Sequence, residues 1–535
     1  MKGDPVISRT DRLKEMLARG SLYRVVLAAF TIYGMACKFL LSLNLQLNSD
    51  LITPGFLAME MVKNGNYLLK GIYLNALDSQ LFNDVLLFHL VPQALSNYDP
   101  GVLRVTGFVI FMLVVAVFSY IVFIVTKDKT NTLVFAALMA NIMPLSYSFF
   151  DAPMSHISAI LFAGVFMILF LTWFDRLSCI DVKNPKGLAA VSLLLIALAI
   201  LTFSNLIFAV FFIFPVAGYY LFLHGKKSYR SIIFAVMLLA SGGAAVIFAR
   251  FIVNRLGLAC FNSIPVIPRG IEHIAFVNIP LYVNGLLLLI CSNVYRGVAG
   301  FASFGVIEAL TAVLFLVVLG LAVKNLLDGN AEHKRIALAF LLFSVVATFV
   351  AYVFTSLCVN IYTTRYLTFT AVLVFLLISA YFSYRNKAMA ASVLLILVVF
   401  AAINFDTVKA LSYHPNKGER EIIGYLGENN LTFGYSGYWD SIILTYLSGG
   451  EIVVRPVMAG DGGLKPVRLI SSDEWYNEIP DRYFLLVNNA RKDQVNDTRA
   501  LVETVPSSAV YHYKGYTIYA FNNTTNINNK LLFKD

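Results

Sequence analysis

Long apolar segments follow one another along most of this chain, and only short polar segments separate them. These segments are long enough to cross a bilayer, which takes about 20 residues of helix. Near residue 405 the pattern changes to that of an ordinary soluble domain. The sequence therefore predicts a polytopic α-helical membrane domain, residues 1–404, followed by a soluble α/β domain, residues 405–535.

The composition agrees with a membrane protein. Apolar residues make up 59% of the chain and charged residues 13%, whereas soluble domains have about 45–50% and about 25%. The net charge of +10 does not indicate a nucleic-acid partner, because the basic residues cluster in the short segments between the apolar ones. That distribution is what membrane orientation requires.

We predict eleven spans from the apolar segments. They lie near 22–43, 102–126, 132–148, 157–174, 188–204, 206–224, 231–253, 305–323, 336–358, 366–382 and 388–404. The segment 278–304 contains a short apolar stretch that fits a re-entrant or interfacial segment as well as a span. We keep it in an outer loop, and a count of up to thirteen spans stays open.

The basic residues also predict an orientation. One set of span ends carries at least two Lys or Arg in every gap, and the opposite set is far poorer in them. The positive-inside rule then places the N-terminus in the cytoplasm. An odd number of spans places residues 405–535 outside the cell membrane.

The first outer loop, residues 44–101, has a pattern of its own. Thr53 is a plausible N-cap, Pro54 suits the first helical position and Gly65 suits a helix stop. We predict a short helix along the membrane surface, with a second apolar stretch, 82–95, packed beside it. The side chains expected to face water on this helix are Glu60 and Lys63.

The soluble domain alternates helix and strand patterns. We predict a helix at 417–428, a hairpin that turns near Lys514-Gly515, and short strands. The strands are expected at 432–436, 451–457 and 483–488.

The motifs of nucleotide-driven and metal-dependent chemistry are missing from the sequence. No Gly-rich loop precedes a Lys-Ser or Lys-Thr pair, and no Asp-x-Asp pattern is present. Isolated polar groups at the outer ends of the spans are therefore the candidates for chemistry. No metal ligands are assigned. A metal-independent mechanism is favoured, and a divalent metal is the open alternative.

Asp50 lies just beyond the first span and just before the predicted surface helix. A carboxylate there can take a proton from a hydroxyl as it attacks, so Asp50 is a candidate general base. The alternative is a solvated loop residue or a helix-entry cap. Asp78 and Asp84 share this loop, where carboxylates can divide acid and base roles or simply form turns.

Four further residues are candidates for substrate contacts. Asp151 and His156 occupy a short gap at the membrane boundary, where ionisable groups are functional candidates, although a turn and cap explain them equally well. Arg365, at the outer mouth of a later span, has a fork of donors that fits phosphate, and beside Tyr362 it also fits an interface anchor. Arg269 is a further cation in the loop 254–304.

Together these features resemble the GT-C superfamily of membrane glycosyltransferases, in the branch with the protein O-mannosyltransferases and the lipid A aminoarabinose transferases. Asp50 followed by the step Lys63-Asn64-Gly65-Asn66 looks like the first-loop motif of that family. Leu103-Arg104 and Arg365-Tyr366-Leu367 are similar to its openings of an early and a late span. The family often has Asp-Glu in the first loop, whereas Leu51 follows Asp50 here. Segments of the tail that resemble an outer domain of many prokaryotic members are 435–439, 454–456 and 472–476.

The resemblance implies a glycosyltransferase of a prokaryotic cell membrane that uses a polyprenyl-phosphate-linked sugar. The catalytic base that the resemblance implies corresponds only to Asp50 in this sequence. The acceptor is expected to be a glycan, a lipid or a protein, with membrane lipids as partners and no nucleic acid. A lipid-linked sugar transporter or flippase and a cell-envelope assembly factor are the alternatives. The residues expected to contact substrate are Arg365, Asp84, Asp78, Asp151, His156, Arg269 and Tyr362.

Overall fold

The chain is mostly helical in the residues that the computed structural model describes, which are 20–75, 78–151, 156–178, 185–224, 229–256, 259–261, 267–290, 305–327, 332–460, 463–477, 480–491 and 507–522. The basic N-terminal segment, residues 1–19, on which the predicted orientation partly depends, lies outside these ranges.

Seventeen numbered α-helices follow one another in the described residues, and short π- or 3₁₀-helical turns extend several of them. In chain order they are α1 (Ser21–Leu43), α2 (Thr53–Val62), a π-helix (Leu81–His89) that continues as α3 (Leu90–Leu95), α4 (Pro100–Thr126), α5 (Lys129–Ala140), α6 (Pro144–Asp151), α7 (Ile157–Ser178), α8 (Pro185–Ser204), α9 (Phe214–Tyr219), α10 (Tyr229–Leu256), α11 (Ile271–Ile290), α12 (Gly305–Leu327), α13 (Glu332–Val353), a 3₁₀-helix (Ile361–Leu367) that continues as α14 (Thr368–Ala380), α15 (Lys387–Lys409), α16 (Lys417–Glu428) and α17 (Tyr438–Leu447).

Seven of the described helices are long and apolar enough to cross a membrane. They are α1, α4, α8, α11, α12, α14 with its 3₁₀-helical turn, and α15. The pair α5 and α6 makes an eighth if the two helices count as one span, and shorter apolar helices occupy most of the other predicted spans. The chain is therefore a helical membrane protein, and it carries a small mixed α/β unit at its C-terminal end.

One predicted span and one predicted loop differ from the structure. The predicted continuous helix at 132–148 is wrong in shape, because α5 and α6 meet at 92°. The Asn141 amide donates to the carbonyls of Phe30 and Ala137 at this break, and Pro144, which has no N–H to continue a helix, begins α6. The predicted outer loop 254–304, in which the segment 278–304 was kept, contains α11, a helix of 20 residues with the length and composition of a span.

The C-terminal unit contains a six-stranded sheet with the order β5-β4-β3-β6-β8-β7. Strands β4, β3 and β6 run parallel, and the remaining pairs are antiparallel. The predicted helix α16, the three predicted strands and the terminal hairpin are confirmed, whereas α17 and β5 were not predicted. The strands of this sheet are β3 (Phe433–Ser436), β4 (Val453–Gly460), β5 (Gly463–Pro466), β6 (Arg482–Asn488), β7 (Ala509–Tyr513) and β8 (Tyr516–Asn522). Outside this unit, the short strands β1 (Tyr73–Asn75) and β2 (Ala259–Phe261) pair in parallel.

Helix α2 of the first outer loop is buried under the C-terminal unit rather than lying open along a membrane surface. The two share one hydrophobic core. Glu60 is only 4% exposed, so its predicted contact with water is wrong, whereas Lys63 is exposed and donates to the Gly449 carbonyl at 2.5 Å. Gly55 lies so close to Tyr446 of α17 that a Cβ there would stand 2.6 Å from the Tyr446 hydroxyl.

The helix start at Thr53 also differs in detail. Ile52 holds the N-cap position, and the Thr53 hydroxyl donates to the Ser49 carbonyl instead of capping. The expected packing of 82–95 beside α2 is confirmed. The outer loop is therefore a structured support that lies between the membrane helices and the C-terminal unit.

Asn416 joins the C-terminal unit to the start of the outer loop. Its side chain exchanges hydrogen bonds with the backbone of Leu47, at 3.1 and 2.9 Å. The Arg104 guanidinium, at the start of α4, donates to the Asn416 Oδ1 at 2.7 Å and to the Leu45 carbonyl at 2.9 Å. These bonds fix the loop that leads to Asp50.

Candidate functional site

Five segments that are far apart in sequence meet where the membrane helices, the outer loop and the C-terminal unit come together. They are the turn before α2, the segment before the π-helix, the residue before α7, the 3₁₀-helix before α14 and the first turn of α17. Their interacting side chains form a group that we call the acid–arginine cluster. Its members are Asp50, Asp78, His156, Arg365, Tyr366 and Tyr438.

Asp50 is half-buried, and the C-terminal unit orients it. The Tyr438 hydroxyl donates to the Asp50 Oδ1 at 2.9 Å. Burial, and then the Asp50 charge, raise the pKa of Tyr438 well above its usual value, so the phenol keeps the proton that it donates. The Ser49 hydroxyl in turn donates to the Tyr438 carbonyl at 2.7 Å. A carboxylate with one fixed donor has acceptor capacity left for a substrate hydroxyl.

Asp78 lies between the negative and positive members of the cluster. Burial raises the pKa of Asp78 to about 7, the Arg365 guanidinium opposes this change, and the Asp50 carboxylate adds to it. The side chain is 29% exposed although its Oδ1 is enclosed. Asp78 therefore changes its charge near neutral pH in a position that solvent reaches.

His156 is a fully buried, neutral imidazole. The Asn205 Nδ2 lies 2.8 Å from the His156 Nδ1, and the Asn205 Oδ1 accepts the Ile207 N–H, which fixes the direction of the amide. This network assigns the imidazole proton to Nε2. Burial, followed by the Arg365 charge, lowers the pKa of His156 to about 3. His156 therefore offers a neutral N–H donor rather than a cation.

Arg365 is held in place by an aromatic ring rather than by an acid. Its guanidinium lies 5.3 Å from the centre of the Tyr366 ring, which in turn lies 5.0 Å from the His156 ring. Among the described residues no carboxylate is within ion-pair distance of Arg365. A half-buried guanidinium without a direct counter-ion is suited to an anionic ligand.

Three buried polar atoms of the cluster have no hydrogen-bond partner among the described residues. They are the Asp78 Oδ1, the His156 Nε2 and the Arg365 Nε. Buried polar atoms are nearly always paired in native proteins, and each unpaired one needs an explanation. A polar ligand that both accepts from the imidazole and guanidinium and donates to the carboxylate would satisfy all three.

Asp84 and Asp151 belong to other groups. Asp84 is buried in the π-helix, where its Oδ1 lies 3.4 Å from the His89 Nε2. Asp151 is buried at the end of α6, near Ser42, Tyr147 and Lys38. The structure therefore separates Asp151 from His156, its neighbour in the same predicted gap.

Arg269 and Tyr362 lie outside the cluster as well. The Arg269 side chain is exposed, and its backbone N–H donates to the Phe354 carbonyl. Tyr362 is 74% exposed at the start of the 3₁₀-helix that carries Arg365. Their predicted roles in substrate binding stay predictions.

The sequence alone assigns no role to two members of the cluster, Tyr366 and Tyr438, or to Asn205, which contacts His156. Tyr438 lies in the segment 435–439 quoted for the family resemblance, and Tyr366 was treated as a neighbour of Arg365. Asn205 has no role in the sequence-based interpretation. The roles of these residues depend on contacts between separate segments, such as the 388 positions between Asp50 and Tyr438 and the 49 positions between His156 and Asn205.

No family model matches the chain, and no curated protein matches it either. The described residues contain no group of three or more His, Cys, Asp or Glu side chains arranged to hold a metal ion. The mechanism's independence of metal stays a prediction.

Proposed function

We propose that this protein is a glycosyltransferase of the GT-C type, which transfers a sugar from a polyprenyl-phosphate donor to an acceptor hydroxyl at the outer face of a cell membrane. The observation that supports this most is the acid–arginine cluster. It brings a carboxylate with free acceptor capacity together with a guanidinium that has no carboxylate within ion-pair distance among the described residues, at the ends of apolar helices. A lipid phosphate enters such a site from the bilayer.

The chemistry is a single displacement. Asp50 accepts the proton of the acceptor hydroxyl as its oxygen attacks the anomeric carbon. The new bond forms on the face opposite the phosphate, so the configuration inverts. The bond from the anomeric carbon to the phosphate oxygen breaks, and the lipid phosphate leaves with the electron pair. Arg365 stabilises the charge that develops there.

His156 and Tyr366 support the phosphate side of the cluster. The neutral Nε2–H of His156 has no partner in the part of the chain that the structure describes, and it can donate to a phosphate or sugar oxygen. The Tyr366 ring holds the guanidinium and the imidazole in place. A donor with one phosphate needs less charge compensation than a pyrophosphate. A metal-independent reaction is therefore favoured, with a divalent cation as the alternative.

Donor affinity should depend on pH through Asp78. Below about pH 7 the Asp78 carboxyl is neutral, and above it the carboxylate repels the donor phosphate and competes for Arg365. The donor is a phosphodiester and does not titrate in this range. We expect the donor KM to rise as the pH passes upward through about 7, and Asp78→Asn to remove that rise. The matched control is Asp84→Asn, because Asp84 is a carboxylate of the same outer loop that is paired with His89. This variant should keep the rise in donor KM. A pH-independent KM in the parent protein would contradict this role.

The proposed orientation can be measured with reporter fusions. The uneven distribution of Lys and Arg favours about eleven spans, a cytoplasmic N-terminus and an outer C-terminal unit. In this proposal α11 is a re-entrant or interfacial helix, because one more span would reverse the side of the C-terminal unit. Reporters placed after Lys387 and after Asp535 should therefore report opposite sides of the membrane. Two cytoplasmic signals would place the acid–arginine cluster on the wrong side for an outer donor.

The reaction itself is tested with purified protein in lipid nanodiscs and radiolabelled polyprenyl-phosphate sugars. Transfer should yield free lipid phosphate and a glycosylated acceptor of inverted configuration. Movement of intact donor across vesicle membranes without bond cleavage would instead support a transporter.

One observation favours that second candidate. Lys38 of α1 is fully buried among the apolar helices, where its ammonium contacts the Ile142 carbonyl and the Asn404 Oδ1. Ionisable groups within membrane spans are rare and mark transport pathways, so a buried lysine in α1 favours a transporter. Its partners are the carbonyl at the α5–α6 break and an amide, so a structural role for Lys38 in holding that break is equally consistent.

A further inference from the structure

The strand order of the C-terminal sheet predicts a crevice at the carboxyl ends of two of its parallel strands, β3 and β6. From β3 the chain passes through α17 to β4 on one side of β3. On the other side lies β6, and the strand that follows β6 in the chain, β7, lies farther out on that side, beyond β8. Connections that leave neighbouring parallel strands in opposite directions open a crevice between the two loops, and open α/β sheets bind ligands there. In this sheet the crevice lies between Gly437 and the segment 489–491.

Trp439 lies at this crevice, exposed and fixed in orientation. It is 41% exposed, and the Arg491 guanidinium lies 5.9 Å from its ring. Asp440 holds Arg491 at 3.5 Å and accepts the Asn488 amide at 3.0 Å, which ties the two loops together. The indole is partly covered by its contacts with Arg491 and Tyr438, and its remaining exposed surface is available for a ligand to stack on.

The crevice adjoins the proposed base. The Tyr438 ring contacts the Trp439 ring edge to face, with centres 5.2 Å apart. The hydroxyl of the same tyrosine donates to Asp50. Trp439 is therefore one aromatic ring away from the carboxylate that would deprotonate the acceptor.

We infer that the acceptor is a carbohydrate, whose sugar ring stacks on Trp439 and whose hydroxyls bind Arg491 and the amide side chains after β6; the inference rests on the proposed transfer reaction. Sugars present apolar C–H faces together with rings of hydroxyls. A fixed exposed indole beside planar polar groups matches both properties. A purely apolar lipid acceptor would gain nothing from the Asp440–Arg491 pair.

Binding is tested without any donor. The chain contains three tryptophans, so intrinsic fluorescence can report on Trp439. Cellotriose, chitotriose and mannotriose are titrated into the full chain in nanodiscs. At least one should change the fluorescence saturably, and Trp439→Phe should abolish that change. Trp173→Phe, an exposed tryptophan on the apolar helix α7, is the matched control and should retain it.

Two results would overturn the inference. One is the absence of any saturable change with all three sugars. The other is strong quenching of Trp439 by brominated lipids in the nanodisc, which would make it a membrane-interface anchor.

Transfer kinetics separate this inference from the proposed function. With a binding oligosaccharide as the acceptor, Trp439→Ala should raise the acceptor KM about tenfold, the loss expected for one aromatic contact. Sugar binding without any donor cleavage would refute the transferase and leave the carbohydrate site standing. If transfer occurs and neither Trp439→Ala nor Arg491→Ala changes the acceptor KM, the carbohydrate site is refuted and the transferase is not.

Discussion

Asp50→Asn should lower sugar transfer about 10²–10⁴-fold, the contribution typical of a positioned general base. The amide keeps the shape of the carboxylate and can still accept from the Tyr438 hydroxyl, so the contact with the C-terminal unit survives. Only the capacity to take a proton is lost. The measurement is the rate of transfer at saturating donor, with donor binding measured separately.

Asp84→Asn and Asp151→Asn are the controls that show whether the loss of transfer is specific to Asp50. Asp84 is paired with His89, and Asp151 lies beside Tyr147 and Lys38, so both substitutions should cost far less transfer than Asp50→Asn. A normal rate for Asp50→Asn with an inactive Asp151→Asn would move the base to α6. If Asp50→Asn, Asp84→Asn, Asp151→Asn and Asp78→Asn all transfer sugar at the normal rate, none of these carboxylates is the base, and transport is favoured.

The hydrogen bond from Tyr438 to Asp50 allows a second test of the role of Asp50. Tyr438→Phe removes the phenol that orients the carboxylate but leaves its basicity, so we expect a smaller loss than from Asp50→Asn. The effect should fall on the rate at saturating donor, because Tyr438 contacts the base rather than Arg365. An unchanged rate would show that the C-terminal unit has no part in positioning Asp50.

The sequence was most informative where local pattern alone decides the structure. Apolar length predicted α1, α4, α8 and α15 within a few residues, because a bilayer-spanning helix leaves an unbroken apolar segment. Alternation and turn residues likewise predicted α16 and the hairpin at Lys514-Gly515. Asp50 and Arg365 were found because polar groups at the ends of spans are rare.

What the sequence could not show depends on tertiary contacts. Glu60 has the polarity of a surface residue, yet the C-terminal unit covers α2 and buries it. The bend between α5 and α6 is stabilised by contacts of Asn141 and Lys38 with distant carbonyls, which no local window contains. The role of Tyr438 follows only from the docking of the C-terminal unit on the outer loop, which Asn416 and Arg104 secure.

This docking gives the C-terminal unit a place in the proposed reaction. A unit that served only to bind a partner would not need to share a hydrophobic core with the outer loop. This unit buries α2, and its Tyr438 hydroxyl donates a hydrogen bond to Asp50. The membrane helices supply Arg365 and the residues around it. The donor side of the cluster is thus built by the membrane domain, and the acceptor side by the outer loop together with the C-terminal unit.

Arg365→Ala should lower transfer about 10²–10³-fold, the loss typical when one preorganised donor to a developing charge is removed. Arg365→Lys keeps a positive charge but loses the planar fork and its stacking on Tyr366, so its loss should be smaller but clear. Arg269→Ala removes an exposed cation outside the cluster and is the matched control. Thermal unfolding in detergent checks that each variant is folded. Full turnover and donor affinity in a folded Arg365→Ala variant would make the residue an interface anchor and leave the leaving phosphate without a partner.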